Sequence, residues 1–313
     1  MDISTKLKER FCKDCNIPIN LFKEPYFTDR LKLYDEFYGT LEKWDIFVKE
    51  LEKYKCEQDY FEEYNNVKDA AIYSIKNTEA YEKFCNEDMN QYRVKYNNLP
   101  CKDIYHPDND GKMFISIDMK KANFSSLQYY DGSMFAGAST WENFIELFTD
   151  NKHIINSKYI RQVILGNCNP KRHITYEKYL MDKILDYVLI YTSIDRVVFF
   201  SNDEIVVDAS DLIGTDQLLL VHRLTNCINK IINIPVKVEL FTLHKINGTS
   251  GYYKEIIKAN GETDIKFKCL DSLYLPFVIR YFLGEEITDS DKVFYHNGLL
   301  AQFIEVPEIE VKE

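Results

Sequence analysis

The feature that most constrains the fold is a set of four short apolar runs in the second half of the chain. Each run is rich in β-branched and aromatic residues and is shorter than a typical helix, so each is predicted to be a strand. Helical periodicity fills the first and last intervals between them, whereas a tight polar turn separates the second run from the third. The runs are MFISI (113–117), VVFF (197–200), EIVV (204–207) and VKVELFTL (236–243).

This order predicts the α+β class and, within it, a ferredoxin-like βαββαβ sheet of four antiparallel strands with helices on one face. Apolar residues at steps of three and four over 28–54 predict helices before the sheet, with a break near Gly39. After the sheet, Asn260-Gly261 and Asn297-Gly298 predict hairpin turns. We therefore expect a helical N-terminal region over 1–105, the sheet domain over 106–250, and a small β-rich C-terminal appendage over 251–313.

Composition indicates a globular protein in a reducing compartment. Of its 313 residues, 45% are hydrophobic and 28% are charged, which is ordinary for a soluble domain. No apolar run approaches the about 18 residues of a membrane span, and the opening MDISTKLKER is polar rather than signal-like. The eight cysteines are scattered, so a cytoplasmic or other reducing intracellular location is expected. Cys12 and Cys15 have the spacing of half a zinc site, but a second such pair is absent, which favours free thiols.

The charge distribution separates one segment from the rest of the chain. The net charge is −11, and an acidic surface opposes binding to nucleic-acid phosphates. Residues 151–173, however, contain no Asp or Glu, although the chain has 50 acidic residues. This acid-free stretch predicts a local basic track that would suit phosphate groups. Its basic residues are Lys152, Lys158, Arg161, Lys171 and Arg172.

Three carboxylates are placed where the predicted sheet would bring them together. Asp118 ends the first strand, and Asp203 and Glu204 lie at the hairpin between the second and third strands. Because the first and third strands are central neighbours in a βαββαβ sheet, the three side chains would repel one another unless a cation neutralises them. Hard carboxylate oxygens favour Mg²⁺ or Mn²⁺, and two such ions ~4 Å apart support phosphoryl transfer. The alternative is that these residues serve only the turn and solubility.

Two segments around these carboxylates resemble the palm-domain nucleic-acid polymerases. FISIDMKKANF (114–124) resembles their motif A, and VVFFSNDEIVV (197–207) resembles their motif C hairpin. The frame around Asp118 is similar to that of reverse transcriptases and RNA-dependent RNA polymerases. The Asp203-Glu204 pair is similar to that of Y-family DNA polymerases, tRNA-His guanylyltransferases and diguanylate cyclases, and it departs from the two adjacent aspartates of reverse transcriptases. Lys120 stands where Y-family enzymes carry a second carboxylate, so the subfamily stays open.

The resemblance implies a template-directed nucleotidyltransferase, a small DNA or RNA polymerase that uses two-metal-ion phosphoryl transfer. Its palm catalytic domain would span residues 106–250, and Asp118, Asp203 and Glu204 would be catalytic ligands of two Mg²⁺ or Mn²⁺ ions. Its partners would be a nucleoside triphosphate and a nucleic-acid template and primer, with no membrane. Membership of a larger replication or transcription assembly is left open.

The resemblance also implies roles for residues around the three carboxylates. Asn123 would face the sugar of the incoming nucleotide, or Phe124 would do so if the register differs by one. Lys245, after the last strand of the sheet, would protonate the leaving pyrophosphate. The loop at Gly166 and the helix after it would take the place of motif B. Phosphates would be bound by Lys158, Arg161, Lys171 and Arg172, and the sugar or base by Asn167 or Asn169.

Two other kinds of function remain as alternatives. A palm sheet could serve a template-independent or tRNA-type nucleotide adder, or a nucleotide cyclase. A cyclase needs no nucleic-acid track, so the acid-free stretch weighs against it. The other alternative is a catalytically silent palm-like interaction protein. Removal of the carboxylates would leave the stability of such a protein unchanged or improved, because their mutual repulsion would be relieved.

Overall fold

The structure, a computed structural model, describes residues 3–311, and its N-terminal part is helical. The Ser4 hydroxyl accepts a hydrogen bond from the Leu7 amide at 3.2 Å and so starts the first helix. Gly39, at φ +56°, separates the third helix from the fourth, where the break was expected. The helices are α1 (Thr5–Cys15), α2 (Tyr26–Leu33), α3 (Asp35–Tyr38), α4 (Thr40–Leu51), α5 (Glu57–Lys76) and α6 (Glu79–Asn86).

Strands and helices alternate in the second part of the chain. Asn169, at φ +60°, turns the backbone ahead of Pro170, whose fixed φ suits the first position of a helix. The elements up to the last predicted strand are β1 (Met113–Met119), α7 (Ala122–Tyr130), α8 (Trp141–Ile145), α9 (Lys152–Asn156), α10 (Lys158–Gly166), α11 (Pro170–Val188), β2 (Val197–Phe200), β3 (Glu204–Asp208), α12 (Gly214–Ile231) and β4 (Val236–Asn247). The C-terminal elements are β5 (Tyr252–Ile257), β6 (Thr263–Lys268), α13 (Leu275–Leu283), β7 (Val293–His296), β8 (Leu299–Gln302) and β9 (Glu310–Val311). Within residues 3–311, no helix has both the length and the apolarity needed to cross a bilayer.

The central sheet is antiparallel and has the strand order β2-β3-β1-β4-β5-β6, with β9 also paired to β4. Helices together with this sheet confirm the predicted α+β class. The predicted turns at Asn260-Gly261 and Asn297-Gly298 join β5 to β6 and β7 to β8. β7 and β8 form a separate two-stranded sheet.

The C-terminal part continues the sheet beyond residue 250. β4 extends to Asn247, and the chain turns at Gly248 and returns as β5, which pairs with β4. Gly248 has φ +79°, and a Cβ atom there would lie 2.1 Å from the Glu308 carbonyl oxygen, so the C-terminal tail lies against this turn. β4 is longer than the apolar run that predicted it, and that run gave no indication of the pairing with β5.

The two faces of the sheet have different surroundings, because side chains alternate along each strand. The β1 side chains that join the main core, on the helix side, are Ile115, Ile117 and Met119. This core is continuous from α1 to α13, so the N-terminal helices share it with the sheet. The β1 side chains on the other face, named here the carboxylate face, are Phe114, Ser116 and Asp118. Ile104 and Tyr105 cover part of the carboxylate face, where they join a smaller apolar cluster with Phe114.

Candidate active site

The carboxylate face carries a row of charged side chains at the end of β1. Asp118 lies directly opposite Glu204 on β3 and Lys237 on β4. Directly opposite residues of antiparallel strands project to the same face, with Cβ atoms about 4.5–5.5 Å apart. The sheet therefore brings together Asp118 and Glu204, two of the carboxylates that the sequence singled out.

The β2–β3 turn holds the third carboxylate beside them. The Ser201 hydroxyl donates to Asp203 Oδ1 at 2.9 Å and accepts from the Glu204 amide at 3.0 Å. The Met119 amide donates to the Asp203 carbonyl oxygen at 2.8 Å, which ties the turn to the end of β1. Asp203 is exposed, while Asp118 and Glu204 are half-buried. The Ser-Asn-Asp turn thus orients a solvent-accessible carboxylate next to the Asp118–Glu204 pair.

Electrostatics confirm that these carboxylates interact. Burial, together with the negative charges of Glu204 and Asp203, raises the pKa of Asp118 to about 6, while Lys254 opposes the shift. A carboxyl with this pKa is ionised at neutral pH only against repulsion from its neighbours. A bound divalent cation would remove that penalty.

Glu239 is a fourth carboxylate of this face, and the sequence analysis missed it. It lies on β4 two residues after Lys237, so both side chains project from the carboxylate face. Its Oε1 lies 2.5 Å from Lys237 Nζ and 2.8 Å from Lys266 Nζ. Burial alone would raise the pKa of Glu239, but hydrogen bonds from the two lysines lower it. The alternation in VKVELF was the available signal, because it places Lys237 and Glu239 on one side of the strand.

Lys254 on β5 is a buried cation at the same site. The residue is only 4% exposed, and its Nζ lies 3.6 Å from Glu204 Oε1 and 4.2 Å from the centroid of the Phe241 ring. Burial lowers the pKa of Lys254, although the Glu204 carboxylate favours the charged form. Lys254 lies beyond residue 250, in the expected C-terminal appendage, so it was not expected at the site.

The donor atoms suit a divalent cation, although their arrangement does not form a closed site. Mg²⁺ and Mn²⁺ prefer carboxylate oxygens, and the Asp118 carboxylate interacts electrostatically with those of Glu204 and Asp203. Within the part of the chain that the structure describes, no three or more His, Cys, Asp or Glu side chains are grouped to hold a metal ion. The chemistry of the donors and the repulsion at Asp118 therefore fit a cation that would draw the carboxylates together.

Helix α11 supports the hairpin from the other side of the sheet. Lys178 Nζ donates to the carbonyl oxygens of Phe200 at 2.9 Å and Ser201 at 3.2 Å. The adjacent Glu177 is buried, and burial followed by the charge of Asp203 raises its pKa to about 7. α11 therefore positions the Asp203 turn and places an additional titrating carboxyl next to it.

The titration of Glu177 predicts a pH-dependent stability. Its folded pKa of about 7 lies above the ordinary 4.5, so the folded state binds this proton more tightly than the unfolded chain. This contribution to the free energy of unfolding is complete below about pH 4.5, is lost as pH rises to about 7, and stays absent above. The gain in free energy of unfolding of Glu177→Gln over the wild type should be larger at pH 8 than at pH 5, by on the order of 1–3 kcal/mol. Urea unfolding at both pH values measures this difference. In the matched control Glu82→Gln, at an exposed position, the difference should be the same at both pH values. A pH-independent difference for Glu177→Gln would contradict the assignment.

The acid-free stretch is held by the N-terminal helices rather than by the sheet. α10 packs against α1 and α5. Buried Asp14 on α1 accepts hydrogen bonds from Tyr64 OH and Ser157 Oγ, both at 2.8 Å, and lies 3.0 Å from His153 Nε2. Four residues assigned to phosphate, sugar or base from the sequence have exposed or half-exposed positions along α10 and α11, namely Lys158, Arg161, Asn167 and Lys171. Asn167 caps α10 by donating to the Val163 carbonyl oxygen at 2.8 Å.

The two arginines of this stretch have different surroundings. Arg172 is half-buried, donates to the Glu87 carbonyl oxygen at 2.6 Å and lies over the Phe84 ring. Burial lowers the pKa of Arg161, while the charge of Glu142 opposes this. Glu142 in turn accepts from Lys121 Nζ at 2.6 Å, in the turn that follows Asp118. Arg161 therefore interacts electrostatically with Glu142, the ion-pair partner of Lys121.

The two candidates for contact with the nucleotide sugar differ in position. Asn123 is half-buried near the start of α7, and its side-chain oxygen accepts from the Phe124 amide at 3.0 Å. Phe124 is 4% exposed, with its ring centroid 4.7 Å from that of Phe135 and 6.0 Å from that of Trp141. Phe124 belongs to the core, so the expectation that it might face a sugar is wrong. The two residues are neighbours on α7, and the helical rotation between them turns Phe124 into the core and leaves Asn123 nearer the surface.

Lys245 also lies away from the carboxylates, which corrects the expectation for this residue. Along β4, Lys237 is opposite Asp118 and Thr242 is opposite Met113, so Lys245 lies beyond the far end of β1. Its Nζ donates to the carbonyl oxygens of Thr249 and Gly251 in the β4–β5 turn. The antiparallel direction of β4 is the reason, because its start, not its end, meets Asp118.

None of the cysteines forms a disulfide in the part of the chain that the structure describes. All eight thiols, Cys12 and Cys15 included, are free. Burial raises the pKa of Cys12, which favours the neutral thiol over the thiolate that binds zinc.

Neither protein-family models, nor curated proteins, nor solved structures match this chain.

Proposed function

We propose that this chain is a metal-dependent nucleotidyltransferase that extends a nucleic-acid strand on a template, with a nucleoside triphosphate as its substrate. The observation that carries the proposal is the position of Asp118 opposite Glu204, with the Asp203 carbonyl oxygen bonded to the Met119 amide. Carboxylates gathered at the ends of neighbouring strands are suited to hold Mg²⁺ or Mn²⁺ for phosphoryl transfer.

The order of the strands supports a palm-type sheet. The four strands β2-β3-β1-β4 are antiparallel neighbours, α7–α11 connect β1 to β2, and α12 connects β3 to β4. This order supports the proposed βαββαβ arrangement of a ferredoxin-like fold. The segments that resemble motifs A and C occupy β1 with the start of α7, and the β2–β3 hairpin. In this proposal, β5 and β6 are an extension of the palm.

The carboxylates and the lysines of the face would have separate tasks. Asp118 and Asp203 would hold the cation, which supplies Lewis-acid stabilisation to the triphosphate, and Ser201 orients the Asp203 carboxylate. Nucleic-acid phosphates would lie along β4–β6 rather than along the acid-free stretch. Lys237 and Lys268 are exposed there and Lys266 is half-buried, so these three can reach phosphate oxygens, whereas Lys254 is buried beside Glu204. The lysines that project from this face are Lys237, Lys254, Lys266 and Lys268.

Primer extension tests the proposal directly. Purified protein would be given DNA and RNA templates, deoxynucleotides and ribonucleotides, and Mg²⁺ or Mn²⁺. We expect metal-dependent extension that follows the template, and no extension by Asp203→Asn. Extension without a template would favour the nucleotide adder. Failure with every template, nucleotide and metal would contradict strand synthesis.

The ion pairs of the site favour one alternative, a catalytically silent palm-like protein. Lys254 accompanies Glu204, and Lys237 and Lys266 accompany Glu239, so part of the negative charge is already compensated within the chain. A silent protein would bind no divalent cation at this face. Binding of Mn²⁺ that is weakened by Asp118→Asn distinguishes the two, because only the nucleotidyltransferase requires it.

A further inference from the structure

The lysine closest to the carboxylate row is an internal competitor for the metal. Lys254 Nζ lies 3.6 Å from Glu204 Oε1, and its side chain is only 5% exposed. The Phe241 ring, 4.2 Å away, and the Tyr105 ring, 5.8 Å away, surround the ammonium group with apolar surface. A buried ammonium needs a nearby anion, and leaving it without one is costly. If Glu204 coordinated another cation, the buried ammonium group of Lys254 would lose its counter-ion, at a cost in free energy.

The nearby charges leave Lys254 no equivalent replacement. Glu239 already accompanies both Lys237 and Lys266, at 2.5 and 2.8 Å. Asp118 and Asp203 lie at the end of β1 and in the hairpin turn, and neither forms an ion pair with a lysine or arginine within residues 3–311. Of the three carboxylates expected to bind metal, Glu204 is thus the one with a fixed internal counter-ion.

We propose that Lys254 is the resident counter-ion of Glu204 and keeps this carboxylate out of the metal coordination, so that Asp118 and Asp203 hold the divalent ion. The inference rests on the proposed function and narrows it, because one of the expected metal ligands is reassigned. Lys254 acts here as a positioning residue, since it sets which carboxylates are available. Metal affinity is therefore set by competition between an ammonium and a divalent ion, and loss of the ammonium frees Glu204.

A double-mutant cycle on Mn²⁺ binding tests this inference without any activity measurement. The dissociation constant of Mn²⁺ would be measured by electron paramagnetic resonance on the full chain without nucleotide. Glu204→Gln alone should change Mn²⁺ affinity by less than about threefold, whereas Asp118→Asn should weaken it at least about tenfold. Lys254→Met should tighten binding at least about tenfold, and adding Glu204→Gln to Lys254→Met should reverse this gain. Lys254→Arg keeps the charge and should behave as wild type.

Matched controls separate the specific effect from a general change in charge. Lys245→Met removes a lysine from the far end of β4 and should leave Mn²⁺ affinity unchanged. Thermal unfolding would verify that each variant is folded. If Lys254→Met does not fold, the Mn²⁺ affinity of Glu204→Gln still decides whether Glu204 is a metal ligand. A loss of affinity in Glu204→Gln as large as that in Asp118→Asn would overturn the inference and leave the proposed function standing. No Mn²⁺ binding by wild type or any variant would overturn both.

Discussion

Asp118→Asn is expected to reduce primer extension at least about 1000-fold, equivalent to about 4 kcal/mol of transition-state stabilisation, while making the folded protein more stable at neutral pH. Asparagine keeps the shape of the side chain but removes its charge, so the activity is lost through the metal rather than through the fold. Stability rises because the pKa of Asp118, about 6, shows that its carboxylate is ionised against burial and against Glu204 and Asp203.

The pH dependence of the stability gain follows from the direction of this shift. The folded pKa of about 6 exceeds the ordinary 3.8, so the wild type loses stability as pH rises between these values and no further above them. Asp118→Asn should therefore gain most over wild type at pH 7 and above, and least below about pH 4. Steady-state extension rates and urea unfolding at pH 4 and pH 7.5 measure both effects on the same preparations.

Asp208→Asn is the matched control for this prediction. Asp208 lies on β3, opposite Phe114, at the other end of the strand from Glu204. The Asp208→Asn variant should extend primers at a rate within about twofold of wild type, since surface changes away from a site have small effects. Retained activity in Asp118→Asn would contradict a metal role for this carboxylate. A loss of activity together with a loss of stability would indicate damage to the fold instead.

The local features of the site could be predicted because they depend on short sequence patterns. The apolar run before Asp118 predicts the end of a strand, and the Ser201-Asn202-Asp203 turn between two apolar runs predicts a hairpin. The structure has both. An apolar strand that stops at a carboxylate places that carboxylate at the end of the strand, whatever the rest of the chain does. The α+β class followed from the same patterns.

The remainder of the site depends on which strands pair, and periodicity does not contain that information. Lys245 and Lys254 are both lysines close to the β4–β5 turn, and the antiparallel return of β5 decides that Lys254 is the one near Glu204. The acid-free stretch is conspicuous in sequence, but Ser157 and His153 hold it to α1 through Asp14. Such contacts join residues more than 100 positions apart, and a one-residue change of register would reverse every face.

The connection between the two ends of the chain carries the other large expected effect. Asp291, 2% exposed, accepts from Arg30 Nη1 at 2.9 Å and from Arg280 Nε at 3.0 Å. The Thr288 amide also donates to this carboxylate, at 2.8 Å. Arg30 on α2 is 4% exposed, so removing Asp291 would leave a buried cation without its counter-ion. This network joins the helical N-terminal region to the C-terminal segment that follows the sheet.

Asp291→Ala is expected to lower the free energy of unfolding by about 3–5 kcal/mol, because breaking a buried ion pair leaves the remaining charge buried without a counter-ion. The two tryptophans allow the effect to be followed in two places. Trp44 lies on α4 in the N-terminal region, and buried Trp141 lies on α8. Urea unfolding would be followed by fluorescence in Trp44→Phe and Trp141→Phe backgrounds, each with and without Asp291→Ala.

The comparison between these two probes decides whether the N-terminal helices and the sheet unfold as one unit. Since a single apolar core runs from α1 to α13, both tryptophans should report the same midpoint and the same loss in Asp291→Ala. The control Asp289→Ala, which removes an exposed carboxylate 3.0 Å from Lys292, should change stability by less than ~0.5 kcal/mol. A shift seen by Trp44 alone would instead establish the N-terminal region as an independent domain, and the carboxylate site would then belong to a sheet that folds without it.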